Sequence, residues 1–408
     1  MPEPLFRYID ENRDSAIDLM LELTAIPALS PRNGGIGEGR KADLLRKLLA
    51  AASPGKFLEF PLSDINATPP LRPNFVFQIP GRQSEKALWI VNCLDVEPVE
   101  ELSLWEGDPF EPYVKEGRIF GRGAENNNQD IVATLLALRG MRELGIEPAN
   151  TLRLLFLSDE KGGSSRGLKQ VFQQAPHLFG RNDLYLVADG GSPDGLSVGI
   201  SEKSLLWYKF TLRGKATHAS TPHLGKNALR ASAVLMRELD HLMELFPLQD
   251  PIFTPPYSTF EPTLKEKNVP GVNMIPGLSV FYMDCRILPD YPLETVEEAI
   301  GKFVAQVEES EGVSIEAERV LRLDSAPKTS EDAPMVGRLL RSLREVGGRE
   351  GKMTGLGSTT PAAFFRKQGL AAASWRKVER TAHSPNESAL IDNLLYESKV
   401  FAWNMEHL

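Results

Sequence analysis

The sequence predicts an α/β protein: a mixed, mainly parallel sheet with helices on both faces, plus an inserted α+β unit. Three observations carry this prediction. Short apolar runs at residues 87–91 (ALWIV), 152–157 and 184–188 read as buried strands. Helical patterns at 130–144 and 164–174 alternate with them, which favours a parallel sheet covered on both sides. Between residues 206 and 322 the pattern changes to half-exposed strands and long helices.

Taken in order, residues 1–26 carry acids throughout and read as an amphipathic helix. They lack the basic start and apolar centre of a signal peptide. Within the middle block, 206–212 (LWYKFTL) and 278–287 (LSVFYMDCRI) alternate like strands with one wet face. Helical patterns run over 227–246 and 293–311, and 313–320 reads as a further strand. A helix near 335–346, a short strand at 371–375 and a final helix resume the first pattern. The simplest account is a discontinuous domain, 1–205 with 323–408, interrupted by a second domain at 206–322.

The chain has 408 residues, enough for two or three domains, and its 42% hydrophobic and 25% charged content is that of a soluble globular protein. A net charge of -9 argues against nucleic acid or an anionic membrane as the main partner. No apolar run approaches the roughly 20 residues that span a bilayer. Two cysteines, Cys93 and Cys285, cannot build a disulfide framework, so a reducing cytoplasm is the default location.

Ligands of open α/β sheets bind beyond the carboxyl ends of the strands. After the first strand comes Asn92-Cys93-Leu94-Asp95, and after the second Ser158-Asp159-Glu160-Lys161. Asp189-Gly190-Gly191 follows the third, and residues 381–387 follow the last. Any one of these could be a turn or a cap. Their joint arrival at one rim points to a site. The glycine-rich stretch 117–126 is not a phosphate loop, since no Gly-Lys-Ser/Thr follows it.

Four segments, WEGDPFEPYVKEGRIFGRGAE, SDEKGGSSRG, GKATHASTPHLGKNAL and AHSPNE, stand in an order that resembles the dizinc peptidase and deacylase family. That family includes acetylornithine deacetylase, succinyl-diaminopimelate desuccinylase, aminoacylase and glutamate carboxypeptidase. The resemblance covers nearly the whole chain. It implies an inserted lid and dimerisation domain, hence a homodimer. It also implies two zinc ions that polarise an amide and lower the pKa of a bound water.

Carried over residue by residue, the implied site is altered. Cys93 stands where a ligand His belongs, and Asn126 stands in place of the bridging Asp. Lys161 replaces a ligand Glu, while Asp189 and His383 keep their types. Asp95 matches the residue that orients the first ligand, and Glu160 matches the general base. Shifting the motif by one residue would make Asp159 the base, but Gly163 and Gly167 then fall out of register. Three of five ligand positions are therefore changed. One metal slot is reduced to Asn126, Lys161 and His383; the other retains Cys93, Asp189 and the Asn126 oxygen.

An ammonium close to a metal position repels the metal strongly at low effective dielectric. The expectation is no zinc or one weakly bound zinc, and no two-metal site. Cys93 is read as a small buried residue or as a residual thiolate ligand. Lys161 is expected to pair with Glu160 or Asp189. On the substrate side, the resemblance makes His218 an oxyanion donor and Asn273 and Arg286 contacts to a substrate carboxylate. Gly357, Ser358 and Thr359, just after Gly355, match a loop facing the ligand.

The reading placed first is a catalytically impaired or non-hydrolytic homologue that binds an N-acyl amino acid or peptide-like small molecule. The alternative is an active amidohydrolase using at most one metal, with Glu160 as general base. A third reading makes Cys93 a nucleophile in metal-free chemistry, which needs a lowered thiol pKa.

Overall fold

The computed structural model describes residues 3–161, 166–269 and 271–407. The chain divides into two compact units. The first comprises Met1–Ile200, Lys328–Thr354 and Thr360–Leu408, and the second Ser201–Pro327 with Gly355–Thr359.

The first unit is built on an eight-stranded sheet. Its strands are β1 (Lys56–Glu59), β2 (Phe75–Ile79), β3 (Gln83–Cys93), β4 (Asn150–Leu157), β5 (Leu184–Val187), β6 (Ser197–Glu202), β7 (Lys352–Leu356) and β8 (Ala372–Ser374). The spatial order is β1-β2-β4-β3-β5-β8-β6-β7. Four adjacent central strands, β4, β3, β5 and β8, run parallel, whereas β1, β2 and β6 pair antiparallel to their neighbours. The fold class is thus the mixed, mainly parallel sheet that the apolar runs predict.

Alternation along each strand supplies both faces. Leu88, Ile90, Leu152, Leu154 and Phe156 join one core with helices α1 (Glu3–Glu11), α2 (Arg13–Thr24), α3 (Gly39–Ala52) and α4 (Gln129–Glu143). Trp89, Val91, Leu155 and Leu157 join the opposite core with α5 (Arg166–Gln174) and α7 (Pro361–Lys367). Helices α6 (Pro334–Gly347) and α8 (Ile391–Glu406) pack on the first face. The single helix expected over 1–26 is divided at Asn12. Its side-chain amide donates to the Tyr8 carbonyl at 2.9 Å and competes with the helical pattern there.

The second unit has a four-stranded antiparallel sheet, ordered Thr259–Lys265, Leu278–Ile287, Ser204–Arg213 and Ser314–Leu323. Leu206, Phe210, Phe281 and Cys285 lie on its apolar face and pack against helices Ala228–Leu239 and Leu293–Glu311. The helical pattern over 227–246 is realised as two helices, the second Leu242–Leu245, separated by a turn at Asp240 and His241. Among the described residues no helix is long and apolar enough to cross a membrane.

Candidate active site

The four parallel strands end along one rim and deliver their polar residues there. Cys93 closes β3, and Asp95 follows it. Glu160 and Lys161 follow β4, and Asp189 follows β5. Asn126 comes from the irregular turn before α4, and His383 from the loop before α8.

Two glutamates hold that turn and that loop together. Glu387 accepts the backbone N–H groups of Gly123, Glu125 and Asn126 at 2.9–3.1 Å, and the Arg122 guanidinium at 2.8 Å. Reciprocally, the Glu125 carboxylate accepts the N–H groups of Glu379, Thr381 and Ala382. Both glutamates are buried, so these charge-assisted bonds act at low dielectric and fix where Asn126 and His383 lie.

Lys161 points inward. Its ammonium donates to the side-chain oxygens of Asn126 at 2.9 Å and Asn127 at 3.2 Å. An ammonium has only donors, so the Asn126 oxygen must face it and the Asn126 amide nitrogen must face away. That nitrogen lies 2.8 Å from His383 Nε2, which therefore accepts and carries no proton. Asn126 thus links Lys161 to His383 through the two ends of its amide. The expected Lys161 ion pair with Glu160 or Asp189 is replaced by these amide contacts, although Asp189 remains its main favourable charge and keeps it protonated against burial.

Asp189 has a different cation. The buried Arg376, two residues beyond β8, places Nη2 3.7 Å from Asp189 Oδ1 and Nη1 3.4 Å from Asp130 Oδ2. Its other donors reach the Gly190 and Glu125 carbonyls at 2.9 Å. Gly191 makes room for this approach: a Cβ there would lie 2.2 Å from the Arg376 carbonyl oxygen, and its φ is +100°.

The remaining groups are committed as well. Asp95 Oδ2 accepts the backbone N–H groups of Glu160 and Lys161 at 3.0 and 2.8 Å, so it positions their turn. Glu160 Oε1 accepts the Leu168 N–H at 3.2 Å in the first turn of α5. Burial and then Asp95 push the Glu160 carboxyl well above the usual range, which favours the protonated acid over a general base. Asp159 turns away to Arg72, with Nη1 at 2.9 Å, inside a buried cluster that includes Glu38. The alternative register would assign the base role to that carboxylate.

Burial also raises the Cys93 thiol, with Glu160, Asp189 and Asp95 opposing thiolate formation and only Lys161 favouring it. This is the reverse of what a metal-free nucleophile requires. Partial burial, followed by Lys161 and Arg122, pulls His383 down to about 4, so it is neutral at pH 7. Beneath the rim, the buried Lys41 donates to the Leu94 carbonyl and the Asn128 side chain, both at 3.0 Å. Burial lowers its pKa to about 8.

These donors do not fit two zinc ions. The Asn126 oxygen is taken by an ammonium, and Asp189 faces a guanidinium. Among the described residues no three His, Cys, Asp or Glu side chains are grouped to hold one metal ion.

In the second unit, a two-stranded ribbon pairs Thr217–His218 with Met274–Ile275, and His218 lies opposite Met274. The Asn273 carbonyl accepts the Ala219 N–H at 2.8 Å, which brings Asn273 beside His218. His218 Nδ1 accepts the Ser220 N–H at 3.2 Å, which leaves Nε2 as the ring donor. Arg286 binds Asp284 through both arms of its fork, at 2.6 and 2.7 Å, and donates to the Gly357 carbonyl at 3.1 Å. The structure thus groups Arg286 with Gly357, whose neighbours Ser358 and Thr359 belong to the same unit.

Sequence reasoning left four residues of the rim without a role: Arg376, Glu125, Glu387 and Lys41. Arg376 follows a predicted strand end, and the same strand-end rule that marked Asp189 points to it. Glu125 and Glu387 stand inside the motifs quoted above. Lys41 carries no comparable signal.

Residues 94–406 match the model of the family described as Peptidase family M20/M25/M40. The chain is 39% identical over 403 residues to an uncharacterised metallohydrolase of Methanocaldococcus jannaschii, covering 95% of this chain and 98% of the relative. It is 26% identical over 319 residues to a succinyl-diaminopimelate desuccinylase of Pseudomonas fluorescens, covering 77% and 80%. Human carnosine dipeptidase 1 superimposes with a TM-score of 0.79 at 17% identity, covering 99% of this chain and 98% of the other.

Proposed function

This chain belongs to peptidase family M20/M25/M40, and within it we propose a member that binds its ligand without two-metal hydrolysis. The observation that carries the reading is the Lys161 ammonium, bonded to Asn126 and Asn127 where family ligands would face a metal. A fixed cation there opposes a dication within a few ångströms, and the neutral Asn126 amide does not supply the charge of a carboxylate bridge.

The ligand class we propose is supported by relatives that are a desuccinylase and a dipeptidase by name. It is an N-acyl amino acid or a peptide-like small molecule. His218 and Asn273 would meet its polar groups, and Arg286 with the 357–359 loop would meet its carboxylate. For Arg286 this requires the ligand to compete with Asp284 for the guanidinium fork. The resemblance further supports a cytoplasmic homodimer formed through the second unit.

A second reading rests on the retained types of Asp189, His383 and Glu160. In it the protein hydrolyses an amide with at most one metal, and Glu160 serves as base. Calorimetric titration with N-acetyl and N-succinyl amino acids and dipeptides, with zinc or with chelator, separates the two. The first reading expects binding that a chelator leaves unchanged, and no released amine. Turnover that disappears in Glu160→Gln would establish the second reading instead.

A further inference from the structure

We propose that Arg376 is the second of two built-in cations and closes the Asp189 side of the rim to zinc, as Lys161 closes the His383 side. The proposal rests on the reading of these positions as two former metal slots. One slot consists of Asn126, Lys161 and His383, and Lys161 already bonds to its Asn126 oxygen. The other consists of Cys93, Asn126 and Asp189. Its only carboxylate, Asp189, lies 3.7 Å from the Arg376 fork.

Arg376 is held so that it cannot swing away. Nε is bound to the Gly190 carbonyl and Nη1 to the Glu125 carbonyl, both at 2.9 Å, which leaves Nη2 directed at Asp189. The parallel pairing of β8 with β5 sets the two chain segments side by side. Gly191, where any Cβ would collide with the Arg376 backbone, lets them close. The guanidinium is buried and always charged, so Asp189 has a permanent counter-ion. A zinc ion entering here would have to displace Arg376, which would then be a buried cation with less compensation.

The consequence is that restoring the three altered ligands is not enough to restore both metals. Cys93→His, Asn126→Asp and Lys161→Glu together rebuild the His383 slot and leave the Asp189 slot blocked. Zinc per chain is measured by mass spectrometry after loading with zinc and gel filtration. The native chain is expected to retain essentially none, the triple variant about one, and the triple variant carrying Arg376→Gln about two.

A triple variant that retains about two zinc ions overturns the proposal, because Arg376 would then be no barrier. So does a folded quadruple variant that still retains only about one. Zinc retained by the native chain would instead sink the metal-independent reading, so the two failures are distinguishable. Should the quadruple variant not fold, a thermal double-mutant cycle of Arg376→Gln and Asp189→Asn replaces it. Arg376→Gln is expected to cost far less once Asp189 is neutral, and strictly additive losses would overturn the pairing.

Discussion

The strand-end rim of the first unit and the ribbon carrying His218 in the second treat their polar side chains in opposite ways. On the rim nearly every group is committed to another part of the chain. Lys161 is spent on two asparagines, Arg376 on Asp189 and Asp130, and Glu160 on a helix terminus. The His218 side chain is exposed, and its only hydrogen-bond partner among the described residues is its near neighbour Ser220. A site poised for metal chemistry leaves donors open for the metal. Here the open side chain lies on the ribbon and the committed ones lie on the rim. That contrast is what favours binding over hydrolysis.

Several substitutions break or sharpen it. The largest loss is expected for Arg376→Met, which leaves Asp130 buried and Asp189 half-buried without their cation. Breaking such a pair costs about 3–5 kcal/mol, read from urea unfolding. Glu125→Gln removes the charge that gathers three N–H groups of the His383 loop, and about 2 kcal/mol is expected by the same measurement. A loss as small as that of an ordinary surface substitution would mean that the loop is held by other contacts.

A pH effect comes next. His383 titrates near 4 in the folded chain and near 6.5 when unfolded, so the unfolded chain takes up the proton first. Stability from this residue is complete above about pH 6.5 and is lost as pH falls toward 4. More than half of the side chain is exposed, so solvent screening keeps the effect modest. The difference between the native and His383→Gln stability curves should therefore change within that window and be flat above it. The smallest stability change is expected for His218→Ala, within about 0.5 kcal/mol, because the residue is exposed. Its affinity for N-acetyl amino acids should nevertheless fall several-fold by calorimetry.

The fold was legible where one physical rule dominates. Strand Leu278–Ile287 and helix Leu293–Glu311 appear with the predicted ends, because their burial follows a clean period of 2 or of 3.6. The break at Asn12 was not, since a local side-chain bond decides it. The altered ligand types could be read directly from the motifs. What they do together could not, because Asn126 linking Lys161 to His383 is a contact across more than 250 positions of sequence. Arg376 lies outside every quoted motif and acquires its meaning only when β8 lands beside β5. Lys41 shows the same limit: within a helix it reads as an exposed charge, and the fold buries it.

The account stands most directly on zinc content. Protein purified without added zinc, then exposed to zinc and desalted, should carry well under one equivalent per chain. Its thermal stability should not change on adding a chelator. About two equivalents per chain, lost together with stability on chelation, would contradict it, because two fixed cations and two dications cannot share this rim.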